Sequence, residues 1–384
     1  MPPELAPVPE IGDAASSRPW SARIGVVRVE CGAGTLSRLP ALVEELGGRR
    51  VLIVTDPGIE AAGHVERAVE TFAGGPIETF VFDGVAENPT TEHVEAGTRF
   101  AAGREIDCLV GLGGGSAMDC AKGINFLLTN GGKMEDYWGV HKAHRPMLPS
   151  VGVPTTAGTG SEAQSFALIA QPDTHLKMAC GDEKAHFRSV VLDPELTATV
   201  PRVVAVATGL DAFAHAVESY VATARNPVSQ MYAREAWRLL SASFPASLHG
   251  PEDIEVRGKM QLGAYLAGAA IECSMLGAAH ACANPLTARY DITHGIAVAA
   301  MLPGVVRFNA PAVADLYEDL AASLPQEIEA LRAASGHAFR LSGLGVERAA
   351  LPELAAEAAG QWTAGFNPRP VDEAALLRLY EAAF

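Results

Sequence analysis

The sequence is poor in positive charge, and it contains neither a C-x-x-C pair nor an uninterrupted apolar run long enough to cross a bilayer. Its 29 Lys and Arg residues face 45 Asp and Glu residues, which gives a formal net charge of −16. Such a surface repels phosphate backbones and anionic lipid headgroups, so we expect neither nucleic acid nor a membrane as a partner. The six scattered cysteines predict no zinc knuckle and no disulfide framework, and a reducing cytoplasm fits them best.

Residues 1–23 are predicted to form a flexible N-terminal arm. Five prolines stand among the first 20 residues, and no basic stretch is followed by an apolar one, so the segment does not resemble a signal peptide. The remaining length is sufficient for two domains, which we place at residues 24–196 and 197–384.

The two halves of the chain have different patterns. In residues 24–196, short β-branched apolar runs alternate with Ala-rich segments, which is typical of βαβ units around a parallel sheet. Strands are predicted at residues 51–55, 77–82, 108–112 and 150–153. Beyond Pro201 helical periodicity takes over, and helices are predicted at residues 205–220, 227–240, 255–270 and 373–384. We therefore expect an α/β domain followed by an all-α domain.

A glycine-rich segment, residues 111–119, follows one predicted strand and leads into a helix. Consecutive glycines allow a close approach to a pyrophosphate, and Ser116 with Asp119 predicts a capping box at the helix start. The fingerprint G-x-G-x-x-G is met only as G-x-G-x-x-S, so an ordinary tight turn is the alternative. Asp56 could likewise accept a ribose hydroxyl or simply form the turn before Pro57. A second loop, residues 154–162, also follows a strand, and two such loops in one domain favour a nucleotide.

The second half carries candidate metal ligands. Asp211 and His215 stand four residues apart, which places both on one face of a helix. Together with His280 and His294 they offer one carboxylate and three imidazoles, a set that suits a divalent metal such as Fe²⁺ or Zn²⁺. The alternative is that the histidines are packed core residues. Pro285 is predicted to break the helix between the last two, which leaves their convergence open.

Three motifs, in their order along the chain, resemble the signatures of iron-containing alcohol dehydrogenases: residues 113–122, 154–162 and 209–218. The resemblance covers roughly residues 25–310. It implies a Rossmann-like N-terminal domain and a helical C-terminal domain, the dehydroquinate synthase-like fold, in a homodimer or larger homo-oligomer. It also implies NAD as cofactor, with NADP as a possibility, and Fe²⁺, with Zn²⁺, Mn²⁺ or Ni²⁺ as alternatives.

The same resemblance implies roles for individual residues. The metal would be held by Asp211, His215, His280 and His294. The dinucleotide would lie against Asp56, Asn88, Gly114, Gly115, Ser116, Asp119, Thr155, Thr156 and Lys177. The Asp56 carboxylate would favour NAD, because it repels the 2′-phosphate of NADP. One position departs from the family pattern: Asn284 stands where members commonly carry a histidine that is often drawn in the proton path, and an amide does not titrate near neutral pH.

The predicted activity is the NAD(P)-dependent interconversion of a small-molecule alcohol and an aldehyde or ketone at a divalent metal. Two alternatives remain. A lyase or cyclase of the dehydroquinate synthase type shares the fold, NAD and a metal, but its metal set usually includes Glu in place of Asp. Its phosphate-bearing substrates also demand basic residues that this acidic chain does not obviously supply. The other alternative is a non-catalytic, NAD-binding assembly subunit, against which the four intact ligand positions argue.

Overall fold

The computed structural model describes residues 19–174, 176–250 and 252–384. The chain divides into two units. The first takes in the described residues up to Thr156, together with Ser161–Val200 and Glu252–Gln261, and the second comprises Ala157–Gly160, Pro201–Pro251 and Leu262–Phe384. Residues 1–18 of the predicted arm lie outside the described residues, whereas residues 20–23 belong to a strand.

The first unit is built on seven strands: β1 (Trp20–Ile24), β2 (Val27–Cys31), β3 (Arg50–Val54), β4 (Glu78–Phe82), β5 (Cys108–Gly113), β7 (Ser150–Pro154) and β10 (Ser189–Leu192). Their order in the sheet is β1-β2-β10-β7-β5-β3-β4. Only the β1–β2 pair is antiparallel among these described strands. The four strands predicted from the sequence are confirmed, and each end lies within one residue of its predicted position.

A second, smaller sheet was not predicted. It consists of β6 (Gly139–Val140), β9 (Lys177–Gly181) and β8 (Phe166–Ala170), in that order. Five helices complete the unit: α1 (Leu39–Glu45), α2 (Pro57–Ala61), α3 (His64–Thr71), α4 (Thr91–Ala101) and α5 (Gly115–Asn130).

Both faces of the larger sheet are buried at its central strands β3, β5 and β7. On β3, Leu52 packs with residues of α4 and α5, whereas its neighbour Val51 packs with residues of α1 and α3. Successive side chains of a strand point to opposite faces, and a sheet covered on both sides needs apolar residues at every position. This is why β3, β5 and β7 appear as continuous apolar runs in the sequence.

The second unit is helical. Its helices are α6 (Arg202–Val221), α7 (Pro227–Ser247), most of α8 (Ile254–Cys273), α9 (Ala278–Tyr290), α10 (His294–Leu320), α11 (Leu324–Ser335), α12 (Leu351–Ala359) and α13 (Glu373–Ala383). The four predicted helices are confirmed. Among the described residues, α10 is the one unbroken helix long and apolar enough to match a membrane span, but 67% of that stretch is buried, as in the core helix of a globular protein.

The predicted helix break at Pro285 is wrong. α9 continues through Pro285 to Tyr290, and the chain leaves the helix at Asp291, whose φ is +52°. A proline inside a helix removes one hydrogen bond and crowds the preceding turn, at a cost of about 3 kcal/mol. Here Pro285 and Leu286 are both buried, and the burial of apolar surface offsets that cost.

Candidate active site

The glycine-rich segment lies at the carboxyl end of β5. Gly113 has a φ of +146°, and a Cβ built at this position would lie 2.9 Å from Ala117 Cβ, so glycine is required. Gly114 is the N-cap of α5 and has no side chain with which to cap the helix. The N–H groups that begin α5 are therefore left for another acceptor, which is the arrangement of an anion-binding helix N-terminus.

The predicted capping box at Ser116 is wrong. Ser116 lies inside the first turn of α5, and its Oγ accepts a hydrogen bond of 3.3 Å from the N–H of Asn88. Asp119 is turned inward and accepts a hydrogen bond from Ser161 Oγ. The helix begins earlier than predicted because Gly114 has the extended backbone of an N-cap residue, with φ −79° and ψ −171°.

Other residues of the predicted dinucleotide site follow the neighbouring strands. Asp56 follows β3 and caps α2, since its Oδ1 accepts hydrogen bonds of 2.9 and 3.1 Å from the N–H groups of Gly58 and Ile59. Asp56 therefore does form the turn before Pro57 that the sequence suggested as one of its two roles. Its Oδ2 lies 3.4 Å from the position of a Cβ at Gly113. Because parallel strands end at one edge of a sheet, Asp56 and the start of α5 share that edge.

Two threonines follow β7 at the same edge. Thr156 Cγ2 lies 3.5 Å from the position of a Cβ at Gly114. Thr155 is buried, and its Oγ1 has no hydrogen-bond partner among the described residues. Buried hydroxyls are normally satisfied, so this one fits the polar groups of a bound ligand.

Asp119 and Lys177 lie elsewhere in the unit. Asp119 is 8% exposed, and burial raises the pKa of its carboxyl, although Lys122, Ser161 and Lys177 oppose that rise. The Lys122 ammonium donates to the carbonyl oxygens of Ser161, Gln164 and Phe166 at 2.6, 2.7 and 2.8 Å. Lys177 begins β9 and is half-buried. Asp119 therefore belongs to a buried charged cluster rather than to the exposed edge of the sheet.

The second unit brings three of the four predicted metal ligands together. One ligand atom each of Asp211, His215 and His280 lies within 4.8 Å of the other two, and all three residues are buried. Asp211 Oδ1 is 3.4 Å from His215 Nε2 and 3.3 Å from His280 Nε2. The first two residues are one turn apart on α6, and the third comes from α9.

The fourth predicted ligand, His294, lies next to this group at the start of α10. Its ring centroid is 5.5 Å from that of His280, and the two rings are tilted by 54°. The rings of His215 and His280 are stacked, with centroids 4.9 Å apart. His294 is also close enough to Asp211 to lower the pKa of that carboxyl.

The electrostatics of the group suit a cation. Asp211 Oδ1 and His280 Nε2 have no hydrogen-bond partner of good geometry in the described parts of the chain. Burial opposes ionisation of Asp211, but the three histidines hold its pKa well below the ordinary range. Burial lowers the pKa of His215 to about 4, so its ring is neutral at pH 7. Burial also opposes charge on His280, yet Asp211 and Glu218 raise its pKa to about 9. Unsatisfied buried donors and acceptors of this kind fit a divalent metal with nitrogen and oxygen ligands.

Glu218 is a further residue of this group, for which no role was predicted from the sequence. Its Oε2 lies 2.5 Å from His280 Nδ1 in the buried interior of the unit. The sequence did contain a signal for Glu218, because Asp211, His215 and Glu218 are spaced at i, i+4 and i+7, which is one face of a helix.

Asn284, four residues after His280 on α9, donates from Nδ2 to Gln361 Oε1 at 3.0 Å. A pair of amides therefore occupies the position at which the chain departs from the family pattern.

Comparisons with known proteins agree along most of the described chain. Residues 27–194 match the family described as iron-containing alcohol dehydrogenase, and residues 205–384 match the C-terminal family of Fe-containing alcohol dehydrogenases. Alcohol dehydrogenase 4 of Schizosaccharomyces pombe is 39% identical over 278 residues, which are 72% of this chain and 66% of that protein. The NAD-dependent methanol dehydrogenase of Bacillus methanolicus is 33% identical over 79% of this chain and 80% of its own. The crystal structure of a 1,3-propanediol oxidoreductase superimposes with a TM-score of 0.88 at 32% identity, covering 92% of this chain and 97% of that one.

Proposed function

The chain belongs to the iron-containing alcohol dehydrogenase family, and we propose that Asp211, His215, His280 and His294 hold the metal on which its reaction depends. It is an NAD-dependent, metal-containing oxidoreductase that interconverts alcohols and aldehydes. The family models and the relatives named above are all of alcohol-oxidising proteins, which favours this activity over a cyclase or a non-catalytic subunit.

The observation that carries the proposal is the meeting of Asp211, His215 and His280 in the buried interior of the second unit. An unsatisfied buried polar atom costs about 1–3 kcal/mol, so a fold that gathers several of them is organised around something that binds them. One carboxylate and two or three imidazoles suit Fe²⁺. When bound, the metal would supply a Lewis acid for the alcohol or carbonyl oxygen, and the nicotinamide cofactor would supply a hydride acceptor as NAD⁺ or a hydride donor as NADH.

The dinucleotide is proposed to lie at the carboxyl edge of the larger sheet. The uncapped start of α5 at Gly114, Gly115 and Ser116 offers N–H groups to the pyrophosphate. Asp56, Asn88, Thr155 and Thr156 flank that start from the neighbouring strands. Asp119 and Lys177 support the site from inside the unit, where they contribute to the same charged cluster.

We propose that the side chain at position 284 takes no part in proton release. Asn284 stands one turn after His280 and is tied to Gln361, and neither amide can take up a proton near neutral pH. Water, a ribose hydroxyl or another side chain then has to accept the alcohol proton.

The cellular setting is a further part of the proposal. All six cysteines are free and five of them are buried, which suits the reducing cytoplasm. A homodimer or larger homo-oligomer is expected from the family resemblance. The substrate is proposed to be a small-molecule alcohol or aldehyde.

Replacement of the central ligand tests the metal site. His280→Ala removes one ligand and is expected to abolish both the metal content of anaerobically purified protein and NADH formation with a panel of alcohols. His337→Ala alters an exposed histidine of the same unit and is expected to leave both unchanged. Full metal content and turnover in His280→Ala would refute the assignment.

A further inference from the structure

The start of α9, the helix that carries His280, is capped from outside. Its N-cap residue is Gly277, which has no side chain to offer. Ala278 N–H donates to Asn367 Oδ1 at 3.2 Å, and Ala279 N–H donates to Glu218 Oε1 at 2.7 Å. The N–H of His280 lies 3.4 Å from Glu218 Oε2. The first three N–H groups of α9 are thus met by two side chains from other elements.

The same carboxylate also contacts the side chain of His280. Glu218 Oε2 is 2.5 Å from His280 Nδ1, and the Glu218 and His280 side chains are each 4% exposed. A carboxylate oxygen accepts, and Nδ1 is then the donor in this hydrogen bond. Nε2 then faces Asp211 Oδ1, 3.3 Å away, on the side where the ligand atoms meet.

Glu218 therefore joins the two helices that bring the ligands together. It stands on α6, seven residues after Asp211 and three after His215, and it reaches both the backbone and the ring of the ligand on α9. One buried side chain thus links the two helices and contacts the ring of His280.

We propose that Glu218 is a positioning residue for the metal, which caps α9 and holds the proton of His280 on Nδ1 so that Nε2 is left as the ligand atom. The proposal rests on the metal site put forward under the proposed function. It goes beyond that site by assigning a specific task to a residue that does not itself bind the ion. Groups that orient a ligating histidine in this way are worth 10- to 100-fold in metal affinity, as an order of magnitude.

Glu218→Gln separates this task from simple packing. The amide keeps the size of the side chain, and its Oε1 can still accept the 2.7 Å hydrogen bond from Ala279 N–H, so the shorter of the two bonds from α9 to this side chain is retained and only the 3.4 Å contact with the N–H of His280 is lost. Its NH₂ group then faces His280 Nδ1 and donates to it, which moves the ring proton to Nε2 and blocks the ligand atom. The metal-free variant should unfold within about 3 °C of the wild-type protein, since the packing and the hydrogen bond from Ala279 N–H are kept.

The measurement is Zn²⁺ affinity of metal-free full-length protein, by competition with a chelating dye. Glu218→Gln is expected to bind Zn²⁺ roughly 10- to 100-fold more weakly than the wild type. The matched control is Glu255→Gln, which makes the same chemical change at an exposed residue of α8 paired with Lys259, and it should bind like the wild type. Wild-type affinity in Glu218→Gln would overturn the proposal. Absence of Zn²⁺ binding by the wild type would instead overturn the metal site itself.

A second measurement does not depend on the folding of any variant. ¹⁵N spectra of Zn²⁺-loaded wild-type protein labelled at histidine report which ring nitrogen carries the proton. The expected result is a His280 ring with its proton on Nδ1 and its metal on Nε2. A His280 ring that is protonated on Nε2, or bound to Zn²⁺ through Nδ1, would overturn the proposal even if Glu218→Gln failed to fold.

Discussion

Glu162 should make the stability of the first unit depend on pH. It lies in the loop after β7, in a single 3-10 turn (Ser161–Ala163), and is 3% exposed. Burial raises the pKa of its carboxyl from 4.5 to about 7; the neighbouring Asp119 adds to the rise and Lys122 opposes it. At pH 8 the folded protein must hold this carboxylate ionised in surroundings that disfavour charge.

The direction of the effect follows from proton binding. Below about pH 4.5 the residue is protonated in both the folded and the unfolded protein, and above about pH 7 it is ionised in both. Between these values only the folded protein binds the proton, so its stability is highest at low pH and is lost as the pH rises through 7. A shift from 4.5 to about 7 corresponds to roughly 3 kcal/mol, of which roughly 2 to 3 kcal/mol falls between pH 5 and pH 8.

Glu162→Gln removes the titrating group and keeps the shape of the side chain. The free energy of unfolding of this variant minus that of the wild type should rise by roughly 2 to 3 kcal/mol from pH 5 to pH 8. Urea unfolding followed by circular dichroism at fixed temperature measures it. Glu70→Gln, at an exposed residue of α3, is the control and should show a difference that is flat with pH. A flat difference for Glu162→Gln would refute the reasoning.

Two further predictions concern the active site. Asp56→Asn should keep the cap on α2, because Asn caps a helix as well as Asp does. It should raise the ratio of kcat/KM with NADP to kcat/KM with NAD roughly tenfold, because it removes a charge near the ribose. An unchanged ratio in initial-rate assays would contradict the role given to Asp56. Asn284→His should add an inflection near pH 6.5, about the ordinary pKa of histidine, to the pH dependence of kcat, whereas Asn284→Gln should not. A profile identical to that of the wild type in Asn284→His would show that position 284 lies outside the proton path.

Much of the fold could be predicted because its signals are local. The strands β3, β5 and β7 are buried on both faces, so each appears as an apolar run with defined ends. The smaller sheet escaped prediction because β6 has only two residues and β8 and β9 contain small or partly exposed residues. The helix break predicted at Pro285 was wrong for the opposite reason: a local signal was overridden by packing that only the folded chain provides.

The residues of the candidate site also differ in whether a local signal predicts their position. Asp211 and His215 could be paired from the sequence, because four residues on a helix set their relative position. The approach of His280 to them could not, since α6 and α9 are separated by more than 50 residues and meet only through tertiary packing. The direction in which Asp119 points could not be predicted either, because its burial against Ser161 and Lys122 depends on residues up to 42 positions away in the sequence.

The metal site also restricts which residue can stand at position 277, although Gly277 has no functional side chain. A Cβ at this position would lie 2.9 Å from Glu218 Oε1 and 3.0 Å from Asn367 Oδ1. Those are the two atoms that receive the first N–H groups of α9, so any side chain here would displace the cap. Displacing Glu218 Oε1 would also move Oε2, on the same carboxylate, away from the His280 ring. The glycine is therefore needed for the same reason as the carboxylate: both determine where the ring of His280 points.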